Sequence, residues 1–65
     1  MRKLYDLPRG KNIKLYWNQF VIIFDHIDGL YSYCWLEDDK TNIVHIKATT
    51  ELRKYKDGYK IVESR

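Results

Sequence analysis

The chain has one cysteine, one proline, three glycines and no long apolar run. A single thiol, Cys34, excludes an internal disulfide framework, and one Cys with two His makes no zinc set of recognised spacing, so no metal is expected. With its few glycines all at turn-like positions, the chain has no glycine-rich loop to cradle a phosphate, and no organic cofactor is expected. The N-terminal MRKLYDLPRGK lacks the apolar core of a signal peptide, and no stretch approaches the roughly 18 apolar residues of a membrane span. These absences lead us to expect a soluble cytoplasmic protein with no membrane partner. Missing too is any stretch of 10–12 residues with an apolar stripe at helical spacing.

What is present suits a small β domain. A chain of 65 residues is read as one domain over 1–65, and at 45% hydrophobic and 15% aromatic content it can build a core despite its size. Turn chemistry divides it. Asp6-Leu7-Pro8-Arg9-Gly10 reads as a turn, followed by a strand over 13–17 and a short Asn18-Gln19 connection. The run 20–27 then folds back on 30–36 through Asp28-Gly29, the strongest local signal in the chain. Residues 37–42 read as a polar loop, 43–48 as a strand, 49–52 as a bend, and Asp57-Gly58 as the turn of a last hairpin between 53–56 and 59–62. The expected fold is all-β, with five to six short antiparallel strands in a small barrel or a strongly curved sheet.

An Asp28-Gly29 loop of two residues pairs Ile27 with Leu30, hence Phe24 with Tyr33 and Ile22 with Trp35. Phe20, Ile22, Phe24, Tyr31, Tyr33 and Trp35 then share one face, read as the core because so small a chain needs its rings inside. Val44 beside Trp35 and Ile46 beside Tyr33 would extend that face. The opposite face, with Val21, Ile23 and Cys34, is left as a partner surface or a self-association seam. Rings spaced by two on one strand are also how sheets stack exposed bases, so Tyr31, together with Tyr16 and Trp17, is a candidate contact residue.

Charge is polarised. Residues 1–18 carry Arg2, Lys3, Arg9, Lys11 and Lys14 against Asp6, residues 19–42 carry five acids against Lys40, and residues 43–65 are again basic, within a net charge of +3. If the first strand packs beside the last hairpin, Arg9, Lys11, Lys14, Arg53, Lys54, Lys56 and Lys60 would form one positive patch. Catalysis has little to rest on. Asp25-His26 lies near a hairpin end where polar residues are ordinary, no spacing supplies a third group, and Cys34 between two aromatics reads as a buried structural thiol. The chain is read as no enzyme.

The Asp6-Leu7-Pro8-x-Gly10 opening, the Asp28-Gly29 hairpin and the late Ala48-Thr49-Thr50-x-Leu52 bend resemble the small SH3-like barrels of short bacteriophage accessory proteins. The resemblance covers most of the chain. It implies an SH3-like fold, with an OB-like barrel as the alternative that the same turns allow, and a non-enzymatic protein acting in the host cytoplasm on a host protein, a virion component or a nucleic acid. No functional residue carries over. The leading expectation is therefore a non-catalytic protein-interaction module, with a nucleic-acid-binding barrel as the alternative and a homodimer also compatible.

Overall fold

The computed structural model describes residues 2–62. Seven strands form one sheet: β1 (Arg2–Lys3), β2 (Ile13–Trp17), β3 (Phe20–Asp28), β4 (Tyr31–Leu36), β5 (Asp39–Val44), β6 (Glu51–Tyr55) and β7 (Gly58–Val62). A single 3-10 turn, Leu4–Asp6, follows β1, and no helix among the described residues is long and apolar enough to cross a membrane. The order across the sheet is β1-β6-β7-β2-β3-β4-β5, and every neighbouring pair is antiparallel except β2 with β7. The fold is all-β as expected. It has more strands than the expected five to six, one parallel pair, and a strand order that does not close on itself.

Besides the Glu37-Asp38 turn between β4 and β5, three hairpins turn on loops of two residues, Asn18-Gln19, Gly29-Leu30 and Lys56-Asp57. In each the first loop residue takes a positive φ: 55° at Asn18, 66° at Gly29 and 48° at Lys56. Each Asp-Gly pair therefore lies one position away from the expected loop. Gly29 leads its loop because that position needs positive φ, which glycine adopts without steric cost. Gly58 lies past its loop for a different reason. It is buried where β7 runs beside β2, and a Cβ there would collide with the backbone carbonyl of Lys14.

The expected pairing of the central hairpin is overturned by a β-bulge. Moving the loop by one residue keeps the same faces together, but between Phe24 and His26 the register shifts again, with Asp25 the unpaired extra residue. Beyond it Phe24 pairs with Cys34 and Ile22 with Leu36. Phe24 and Ile22 thus join Cys34 and Ser32 inside, and Tyr31, Tyr33 and Trp35 turn to the outer face. The aromatic stripe is not the core. The core is Leu4, Leu7, Leu15, Ile22, Phe24, Cys34 and Leu52, each large apolar side chain among them contributing about 1.5–3 kcal/mol by burial. Cys34 leaves the partner face to which the pairing assigned it and is buried, as its reading as a structural thiol between two aromatics had it.

Two later assignments also change. Glu37-Asp38 forms a turn, and the polar stretch after it is the edge strand β5, almost wholly exposed and so free to be polar. Its partners follow the same slip, Cys34 with Val44 and Trp35 with Ile43. Residues 45–50 form no continuous strand and instead cross from β4 to the N-terminal segment. The Ser32 amide and hydroxyl both donate to the Ile46 carbonyl at 2.9 Å, and the Ile46 amide donates back to the hydroxyl at 3.1 Å. Further along, the Ala48 amide donates to Leu30 O, and the Tyr5 and Leu4 amides donate to Ala48 O and Thr50 O. This crossing ties the two ends of the chain's sheet to each other.

Gly58→Ala is expected to cost about 1–3 kcal/mol, as overpacking does, measured as a lowered urea midpoint. An unchanged midpoint would show that β2 and β7 are not in close contact there.

Candidate functional site: the outer aromatic face

Strand alternation, with the bulge, assembles two ring clusters on the outer face. The first is built on β4. His26 stacks on Tyr33 with ring centres 5.5 Å apart, and Tyr33 meets Trp35 edge-on at 6.4 Å and His45 at 6.0 Å. Lys40 places its ammonium 5.8 Å from the Trp35 ring centre. Both imidazoles are held in place. Nδ1 of His26 lies 2.6 Å from the Asp25 carboxylate, and Nδ1 of His45 donates to the Ser32 carbonyl at 2.9 Å. Tyr31 is 48% exposed and Tyr33 36%, so their rings are open to a ligand.

The second cluster joins β2, β6 and β7. Tyr16 and Tyr55 pack edge to face at 5.0 Å, with Lys56 near both rings (5.9 and 5.3 Å) and Lys60 5.5 Å from the Tyr55 ring. Arg53 lies opposite Lys60 in the register, on the same face. Lys14 sits between the clusters and bridges Glu37 at 3.1 Å and Asp57 at 3.4 Å. These two carboxylates hold the Lys14 ammonium above its ordinary pKa, the hydrogen bond to Glu37 contributing most. Asp57 is held below the usual carboxylate range, first by the Tyr16 hydroxyl that donates to it and then by Lys14. The same hydrogen bond raises the Tyr16 phenol.

Most of the residues singled out in the sequence meet here. Tyr16, Val21, Ile23 and Tyr31 share the outer face with the rings. Trp17 does not. It points the other way and stacks on Phe20 at 6.2 Å, at the end of the β2–β3 hairpin. The expected basic patch is divided although β2 does lie beside β7: Arg53, Lys56 and Lys60 surround Tyr55, Lys14 is taken up by acids, and Lys54 faces the opposite side toward Tyr59. Arg9 and Lys11 lie exposed in the loop before β2. Tyr33 and Trp35, read from the sequence as core with base stacking as the alternative, lie on the outer face, and Tyr55 was not singled out. The available signal was Asp25 inside an apolar run, with Ile22, Phe24 and Ile27 spaced by two and then by three.

Among the described residues no three of His, Cys, Asp and Glu gather where they would hold a metal ion. Cys34 is fully buried, 3.2 Å from the Ser32 hydroxyl, and burial pushes its thiol pKa up, opposite to what a nucleophile needs. Comparison of the chain with protein-family models, with curated proteins and with solved structures found no match.

A carboxylate with a depressed folded pKa contributes stability that is complete above its unfolded value, about pH 4, and is lost as pH falls through the folded one. Asp57 is exposed, so its share is small. Asp57→Asn is expected to flatten the fall in the urea midpoint below about pH 4, leaving Tyr16 a neutral acceptor. An equally steep fall in the variant would remove Asp57 from that role.

Proposed function

We propose that the chain is a non-catalytic binding module that takes single-stranded nucleic acid across the outer face of its sheet. The observation that carries this is the row of Tyr31, Tyr33 and Trp35 on one strand, all outward, with two further rings and three cations across the same face. Bases stack on such rings with little regard to sequence, each stack contributing about 1–3 kcal/mol. Phosphates need cations not already neutralised. Glu37 and Asp57 are drawn to Lys14, and among the described residues no carboxylate lies within salt-bridge distance of Arg53, Lys56 or Lys60. Single strands fit better than duplex, because stacking needs unpaired bases and a net charge of +3 is a modest field for a duplex.

A protein partner is the second reading, favoured by Ile43, 37% exposed beside Trp35, with Val21 and Ile23 forming an aliphatic centre between the ring clusters. The resemblance to bacteriophage accessory proteins supports a non-enzymatic role in a host cytoplasm under either reading and assigns no residue.

Tryptophan fluorescence titration with oligo-dT tests the proposal. Binding is expected at about 50 mM salt and to weaken strongly by about 200 mM. Tyr33→Ala, checked for folding by circular dichroism, is expected to lose about five- to 100-fold in affinity. No binding by the folded wild type at the lower salt, or unchanged binding by Tyr33→Ala, overturns the outer face as a nucleic-acid surface.

A further inference from the structure

A separate concavity lies on the other side of the β6–β7 hairpin. The alternation that sends Arg53 and Tyr55 outward sends Leu52 and Lys54 the opposite way, where Lys54 lies across from Tyr59. β1 runs along the free edge of β6 with Arg2 opposite Leu52, which brings a second cation to the same place. The result is a groove of about 570 Å³ lined by Arg2, Asp6, Leu52, Lys54 and Tyr59.

Its electrostatics are unusual for an ordinary surface. The Arg2 guanidinium lies 5.9 Å and the Lys54 ammonium 5.5 Å from the centre of the one Tyr59 ring. Two like charges beside one ring repel each other, and among the described residues neither has a carboxylate within salt-bridge distance. The one acid in the groove, Asp6, accepts the Lys3 amide at 3.1 Å, and Lys54 spends one donor on the Lys56 carbonyl at 3.3 Å. Among the described residues the Arg2 guanidinium donates to no carbonyl or carboxylate, which leaves it available for a planar, two-point contact. The rest of the lining is apolar: the fully buried Leu52 at the floor and the half-buried Tyr59 ring at the wall.

We infer that this groove is a binding site for a terminal phosphate monoester on a planar body. The phosphoryl group sits between Arg2 and Lys54, and the planar body lies along Tyr59 over Leu52. Asp6 is engaged by the Lys3 amide and, among the described residues, lies outside salt-bridge distance of both cations, so a dianion matches the pair where a carboxylate would match only one of them. A free nucleotide and the 5′-phosphorylated end of an oligonucleotide both carry this chemistry. The site lies on the opposite side of the hairpin from Tyr16 and Tyr55 and does not depend on the outer face binding anything.

Amide shift mapping of the intact protein with adenosine monophosphate, adenosine, and dT trinucleotide with and without a 5′-phosphate tests it. The expected result is a saturable shift at Arg2, Leu52, Lys54 and Tyr59 by about 1 mM nucleotide, absent with adenosine. Arg2→Ala and Lys54→Ala should each weaken binding about tenfold or more, and Lys11→Ala, at an exposed cation of the loop before β2, should leave it unchanged. The same shifts with the phosphorylated trinucleotide alone would assign the site to strand ends, and with the mononucleotide alone to free nucleotides. Shifts that persist in Arg2→Ala, that are as large with adenosine, or that fall at Lys56 and Lys60 instead would overturn the assignment.

Discussion

One inserted residue decides which side of this sheet faces water. Asp25 sits unpaired between Phe24 and His26, and from that point the pairing of β3 with β4 changes parity. An extra residue leaves backbone groups without ladder partners, a cost unless they are met elsewhere. Here they are met. The Asp25 carbonyl accepts the Gly10 amide at 2.9 Å, and its backbone amide faces the Cys34 thiol. The N-terminal loop and the buried cysteine thus hold the bulge from two directions, and the bulge in turn places Cys34 and Ser32 inside. Ser32 then anchors the crossing segment through Ile46, and that segment links β4 to the 3-10 turn that follows β1.

The parts of this fold governed by local chemistry were readable in the sequence. The strand 13–17 has the expected bounds, the two-residue Asn18-Gln19 connection is as expected, and both later hairpins exist within a residue of their signals. The parts governed by contacts between distant segments were not. Gly58 reads as a turn residue and is in fact a close-packing residue, because its neighbour Lys14 lies on a strand far away in sequence. The polar segment before Ile43 reads as loop and is an edge strand, because an edge exposed on both faces needs no apolar alternation. The assignment of the stripe failed for the strongest reason of all: strict alternation has no place for an extra residue, and a bulge inverts every side chain beyond it.

That inversion changes what the surface offers. Rings assigned to a core became the exposed floor of the outer face, and small side chains, Ser32 and Cys34, took the interior beside Phe24. Lys14 organises the charges around those rings by engaging Glu37 and Asp57, so that the acids of the turns are concentrated at one point and the cations around Tyr55 are left open. The β6–β7 hairpin divides its basic residues by alternation, Arg53 and Lys60 to one side and Lys54 to the other. A uniform basic patch is thereby replaced by two distinct cationic surfaces, one with several rings and one a groove with a single ring.

The outer face depends on the bulged register, and Cys34 reports on that register because the two alternatives place its thiol on opposite faces. Reaction of the native protein with a thiol reagent that yields a coloured leaving group is the most direct measurement. The structure predicts no reaction in the folded protein over the time in which the urea-unfolded chain reacts completely, since the thiol is fully buried with its pKa raised. A native Cys34 that reacts as fast as the unfolded one would place it on the surface, return Tyr33 and Trp35 to the core, and contradict the bulged register.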